Sequence, residues 1–117
     1  MSNSSSNLQV YTTFIIDASG GQDVRYRFNH LVIEIDYRCL YQMFEINNQP
    51  KEIQDNFITL ATPDNWVNYI DVLDFIKKHK YFSMSRPLFT WFLIEAFTTL
   101  RSKIENNNKA SAGRICC

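Results

Sequence analysis

The stretch VRYRFNHLVIEID, residues 24–36, changes the parity of its apolar positions partway along. Val24, Tyr26 and Phe28 fall on even positions, whereas Leu31, Ile33 and Ile35 fall on odd ones. Side chains on a strand alternate between faces, so a straight strand would put these two sets on opposite sides. Two devices keep them together: a β-bulge or a tight hairpin. A two-residue turn at Asn29-His30 sets Phe28 against Leu31, Tyr26 against Ile33 and Val24 against Ile35 on one side. On the other side it sets Arg27 against Val32 and Arg25 against Glu34. One ion pair and three apolar pairs then line up, each worth a few tenths of a kcal/mol to about 1. Asn accepts positive φ better than most residues, as such a turn requires. The absence of glycine at position 30 leaves the bulge as the alternative reading.

Upstream, LQVYTTFII places Leu8, Val10, Phe14 and Ile16 on one side, and Gln9, Tyr11, Thr13 and Ile15 on the other. Its branched and aromatic residues suit a strand, and the turn-rich DASGGQD ends it. The N-terminal half therefore reads as an antiparallel three-stranded meander.

The segment YRCLYQMFEINNQ fits helical spacing through Tyr37, Leu40, Tyr41 and Phe44, and strand spacing through Leu40, Phe44 and Ile46. A strand continuing from Ile35 would be unusually long, which favours a short helix. PKEIQDNFITLA follows, with Pro50 at a first helical position and Ile53 one turn from Phe57; its branched end is also compatible with extended chain.

TPDNWVNYIDVLDFIKKHK reads as a helix capped by Thr62, with Pro63 at the first position and Asp64 in the first turn. Trp66, Tyr69, Ile70, Leu73 and Ile76 would form its apolar stripe, and Lys77, Lys78 and Lys80 its C-terminal end. A last helix starts at Ser85 and Pro87. It is apolar nearly all round from Leu88 to Phe97, as a central buried helix or an interface would be. The fold class is thus α+β: the meander packed on one face by C-terminal helices. At 117 residues the chain reads as one domain over 8–106, with a frayed N-terminus (1–7) and a flexible tail (107–117).

Composition narrows function mainly by exclusion. Twelve Lys+Arg balance twelve Asp+Glu, so no basic excess points to duplex nucleic acid. There is no signal-peptide pattern, and PLFTWFLIEAF is too short for a membrane span. Three cysteines, at 39, 116 and 117, form no disulfide framework. These features together lead to a cytoplasmic expectation. No zinc-ligand spacing and no phosphate loop occurs, so neither metal nor cofactor is expected. The terminal Cys116-Cys117 resembles the double-cysteine ends that carry prenyl groups in some eukaryotic small GTPases, without the polybasic run or the GTPase motifs.

Two residues raise the question of catalysis. Cys39 could meet His30 and Asp36 as a nucleophilic site, but a turn-tip His30 stands about 20 Å of strand from residue 36. Glu95, the one charge in the greasiest helix, reads as either its solvent edge or a buried acid. The face turned away from the helices is more informative. With Val24, Tyr26 and Phe28 covered, it would present Tyr11, Ile15, Arg25, Arg27, Val32 and Glu34. Tyr and Arg are enriched at interface hot spots, so Tyr11, Arg25, Arg27, Val32 and Glu34 form the candidate binding surface. Residues 53–60 could instead pack over it. The expected function is a non-enzymatic interaction module — regulator, inhibitor or adaptor — binding a protein partner or a second copy. Single-stranded nucleic-acid binding through RYRF, and a small enzyme using Glu95 or Cys39, are the alternatives. Alternation sends Arg25 and Arg27 one way and Tyr26 and Phe28 the other, which counts against the nucleic-acid reading.

Overall fold

The computed structural model describes residues 8–17, 20–79, 82 and 85–116, with Asp17 and 107–116 as backbone alone. The segment 1–7 and the side chains of Cys116 and Cys117 lie outside the described residues. The protein is α+β, with a four-stranded antiparallel sheet in the order β1-β2-β3-β4. The strands are β1 (Val10–Asp17), β2 (Gly20–Asn29), β3 (Val32–Asp36) and β4 (Trp66–Asn68). The helices are α1 (Tyr37–Met43), α2 (Lys51–Ile58), α3 (Tyr69–Lys78) and α4 (Arg86–Cys116), with a 3₁₀ turn at Ile46–Asn48.

Residues 24–36 fold back as a hairpin, but the reversal falls at His30-Leu31 and not at Asn29-His30. The register is Phe28 with Ile33, Tyr26 with Ile35, and Arg27 with Glu34. His30 carries the positive φ, 61°, and Leu31 sits at the tip, 68% exposed. A slip of two residues preserves parity, so Val24, Tyr26, Phe28, Ile33 and Ile35 still share one face. What changes is the pairing across the other face: Arg27, not Arg25, meets Glu34.

The fourth strand corrects the reading of residues 62–68 as helix. Thr62-Pro63-Asp64-Asn65 forms a turn in which the Asn65 N–H donates to the Thr62 carbonyl at 2.9 Å, and Asn65 adopts φ 68°. That left-handed residue cannot begin a helix, and it redirects the chain into β4, which pairs with β3. The helix starts after it, capped by Asn68, whose Oδ1 accepts from the Ile70 N–H at 2.8 Å. Moving the start rotates the buried stripe. Val72, Phe75 and Ile76 face inward, while Ile70 and Leu73 are exposed.

The ambiguous segment 37–49 resolves as α1 and the 3₁₀ turn. In α2, Ile53 and Phe57 are buried one turn apart, and Pro50 is the cap residue instead of the first helical one. Phe57 stacks on Tyr37 at 5.2 Å and meets Phe75 at 5.4 Å, so this segment joins the core and does not cover the far side of the sheet. α4 begins where expected, with the Phe89 N–H donating to the Ser85 carbonyl at 3.0 Å. It lies over β1 and β2, with Phe92 edge-on to Tyr26 at 5.3 Å and the Tyr26 hydroxyl donating to Thr99 Oγ1 at 3.2 Å. Phe89, Phe92, Leu93 and Ala96 face the core. Trp91, Ile94 and Phe97 are exposed on the rest of the helix.

Candidate functional site

The far face of the sheet divides into two unlike halves. Around Arg27, where β2, β3 and β4 meet, it is polar and closed. Arg27 is buried and lies over the Trp66 ring at 4.4 Å. Its Nε donates to Glu34 Oε1 at 2.7 Å, and Nη2 stands 3.6 Å from Asp64 Oδ2. The hairpin register puts Glu34 beside Arg27, and the turn at residues 62–65 brings up Asp64 and Trp66. Stacking on indole while paired to carboxylates suits guanidinium, which is planar and weakly hydrated. The Thr62 hydroxyl donates to Asp64 at 2.6 Å; with Arg27 nearby, this holds the Asp64 carboxyl below its ordinary range.

Next to it, Arg25 Nη1 donates to Asp36 Oδ2 at 3.0 Å, while Asp36 Oδ1 accepts from the Arg38 N–H at 2.9 Å. Asp36 is thus both an ion-pair partner and the N-cap of α1. Arg25 remains exposed.

The β1 half is different. The register pairs Tyr11 with Tyr26 and Ile15 with Gln22. Tyr11 and Ile15 therefore lie on the α4 side, which corrects their assignment to the arginine face. The Tyr11 ring stacks on Tyr26 at 5.6 Å and lies beneath Lys103, whose ammonium is 5.8 Å from its centroid. In their place, Val10, Phe14 and Ile16 occupy the far face, with Phe14 60% and Ile16 73% exposed. Phe14 lies over Gly21, where a Cβ would collide with its ring. The sequence signal for this was present, since Val10, Phe14 and Ile16 share a parity. What was missing was the phase of β1 against β2. Apolar residues on both sides of β1 leave that phase undetermined by hydrophobicity.

The candidate surface thus breaks into parts. Arg27 and Glu34 occupy each other, Val32 is partly covered, Arg25 is exposed beside Asp36, and Tyr11 lies behind the sheet. Sequence reasoning missed the apolar strip on β1, together with Trp91, 63% exposed. Trp91 and Glu95 share an open cleft of about 270 Å³ with Phe14, Ile15 and Ile16, along the outer edge of β1.

Neither catalytic candidate acquires an activating environment. Cys39 Sγ accepts from the Arg25 N–H at 3.4 Å and lies 3.5 Å from the Asp23 carbonyl. Burial pushes its thiol up, away from the thiolate a nucleophile needs. Glu95 is exposed. Both arginines of RYRF are engaged by carboxylates, which leaves phosphate with competitors already in place. Among the described residues no group of three His, Cys, Asp or Glu could hold a metal ion, and no helix is long and apolar enough to cross a membrane. Neither family models, nor curated proteins, nor solved structures give a match to the chain.

Proposed function

We propose that this chain is a small, non-enzymatic protein–protein interaction module whose contact surface runs along β1 and the neighbouring flank of α4. The observation that carries the reading is the cluster of exposed Phe14, Ile16 and Trp91 around one cleft, with exposed Val10 farther along β1 and Arg25 on the next strand. Large apolar residues exposed together, rimmed by polar ones, mark contact sites. Aromatic residues and arginine are the types that dominate binding energy in them. The far half of the same face is already filled by its own ion pairs and indole, so recognition falls to the β1 half. A cytoplasmic location fits this reading, since Cys39 is a free thiol.

The test is capture from cell extract on immobilised full-length chain, with identification of the bound protein. The same partner should be retained by wild type and by Lys51→Glu, on α2, and lost with Ile16→Ser or Trp91→Ser. A chain that retains nothing and does not associate with itself, or a partner indifferent to both substitutions, overturns the proposal.

A further inference from the structure

The outer edge of β1 has no strand partner among the described residues. Open edges offer a row of backbone donors and acceptors, and proteins usually guard them with charge, proline or a bulge. Residues 10–16, VYTTFII, contain no charge and no proline, and β1 pairs with β2 residue for residue without a bulge. We infer that a second copy of this chain pairs antiparallel with the outer edge of β1, about a two-fold axis at Thr13, giving one eight-stranded sheet. The inference rests on the proposed contact surface and names its partner.

Three features favour a second copy over a foreign strand. The first is register. Pairing about Thr13 sets Val10 against Ile16, Thr12 against Phe14, and Tyr11 against Ile15 of the second copy. Each contact occurs twice, and every pair joins residues of one face, as a continuous sheet requires. The second is spacing. α4 lies over β1 and β2. A two-fold at the edge of β1 therefore puts the two α4 helices about two strand spacings apart, close to 10 Å, which is the distance at which helices pack. A lone foreign strand would leave that flank of α4 bare.

The third is charge. α4 runs antiparallel to β1, with Glu95 by Ile15 and Ile16 and Lys103 over Tyr11. The two-fold sets the Tyr11 end of one copy against the Ile15 end of the other, and so turns each Lys103 toward the Glu95 of the second copy. Val10 and Tyr11 of that copy close the cleft that Trp91 overhangs.

Sedimentation velocity of the full chain over micromolar to near-millimolar concentration tests this, with circular dichroism confirming the fold of each variant. Wild type should move from 13.8 kDa to twice that mass. Ile16→Lys should weaken the dimer at least about tenfold, since a two-fold axis counts each substitution twice. Glu95→Lys and Lys103→Glu should each weaken it, and the double variant should restore it. A wild type that stays monomeric throughout overturns the inference, as does a dimer indifferent to Ile16→Lys and to the charge exchange. A monomer that still captures a foreign partner through Ile16 removes the self-pairing and leaves the contact surface standing. A monomer that captures nothing removes both.

Discussion

On one side of β2, Tyr26 meets the edge of Phe92 and sits between Tyr11 and Phe28. One residue on, Arg27 points to the other side and lies over Trp66 between Glu34 and Asp64. Both side chains are almost fully buried. The α4 side is held by removal of apolar area from water, which tolerates many arrangements of similar volume. The arginine side depends on a charge reaching its partners at set distances, so it tolerates few. Adjacent residues of one strand thus stabilise the sheet through terms with different sensitivities.

The sharpest way to break the apolar side is Phe92→Ala. Phe92 is fully buried between Tyr26 and Phe89, and truncation should cost about 4 kcal/mol, read as a lowered urea midpoint. On the polar side, Arg27→Ala strands Glu34 in a mostly covered position and should cost about 3 kcal/mol by the same measurement. Arg27→Lys should recover only part of it, because ammonium cannot stack on indole and reach Glu34 as a planar fork does. If the lysine variant matches wild type, stacking on Trp66 contributes nothing.

Tyr26→Phe separates the hydroxyl from the ring. Losing the bond to Thr99 should cost about 1 kcal/mol at neutral pH. Burial raises the Tyr26 pKa above its ordinary value of 10.0, so the folded state keeps a proton that the unfolded state releases. Its contribution is full below about pH 10 and fades as pH rises toward the folded value. The phenylalanine variant should therefore lose less stability than wild type between neutral and strongly alkaline pH.

Smaller effects come from the surface. His30→Gly removes the strain of a positive φ and should raise the urea midpoint, by up to about 1 kcal/mol. Arg25→Ala breaks an ion pair whose guanidinium is exposed and should cost only about 0.5 kcal/mol. A loss near that of Arg27→Ala would erase the proposed contrast between the filled and the open parts of the far face.

The elements that could be read from sequence are those whose local and long-range signals agree. The parity switch at residues 24–36 requires a reversal wherever the turn falls, and a two-residue error in its position leaves every side chain on its own face. α2 and the start of α4 follow from spacing and caps. The misreadings arise where local chemistry is double-valued. Thr62-Pro63-Asp64 satisfies the rules for a helix start and equally those for a turn. The choice is made by Asn65 entering the left-handed region and by β3 offering Trp66–Asn68 an edge to pair with. The candidate surface was half legible for a related reason. Alternation alone puts Arg25, Arg27 and Glu34 on one face, though not which arginine meets Glu34, whereas β1 is apolar on both sides. The register of β1 against β2, which pairs Tyr11 with Tyr26 and Phe14 with Asp23, decides which side Phe14 and Tyr11 take.

Asp36 has a consequence for how the chain assembles. Its two oxygens serve different groups at once: one holds the Arg38 amide in the first turn of α1, the other the guanidinium of Arg25 on β2. The amide before it, of Tyr37, is held by the carbonyl of Asn65 from the distant turn. The first turn of α1 therefore gains its full anchorage only after the hairpin has closed and β4 has docked. Local helix formation there is yoked to long-range order, and the sheet and the first helix should melt as one unit.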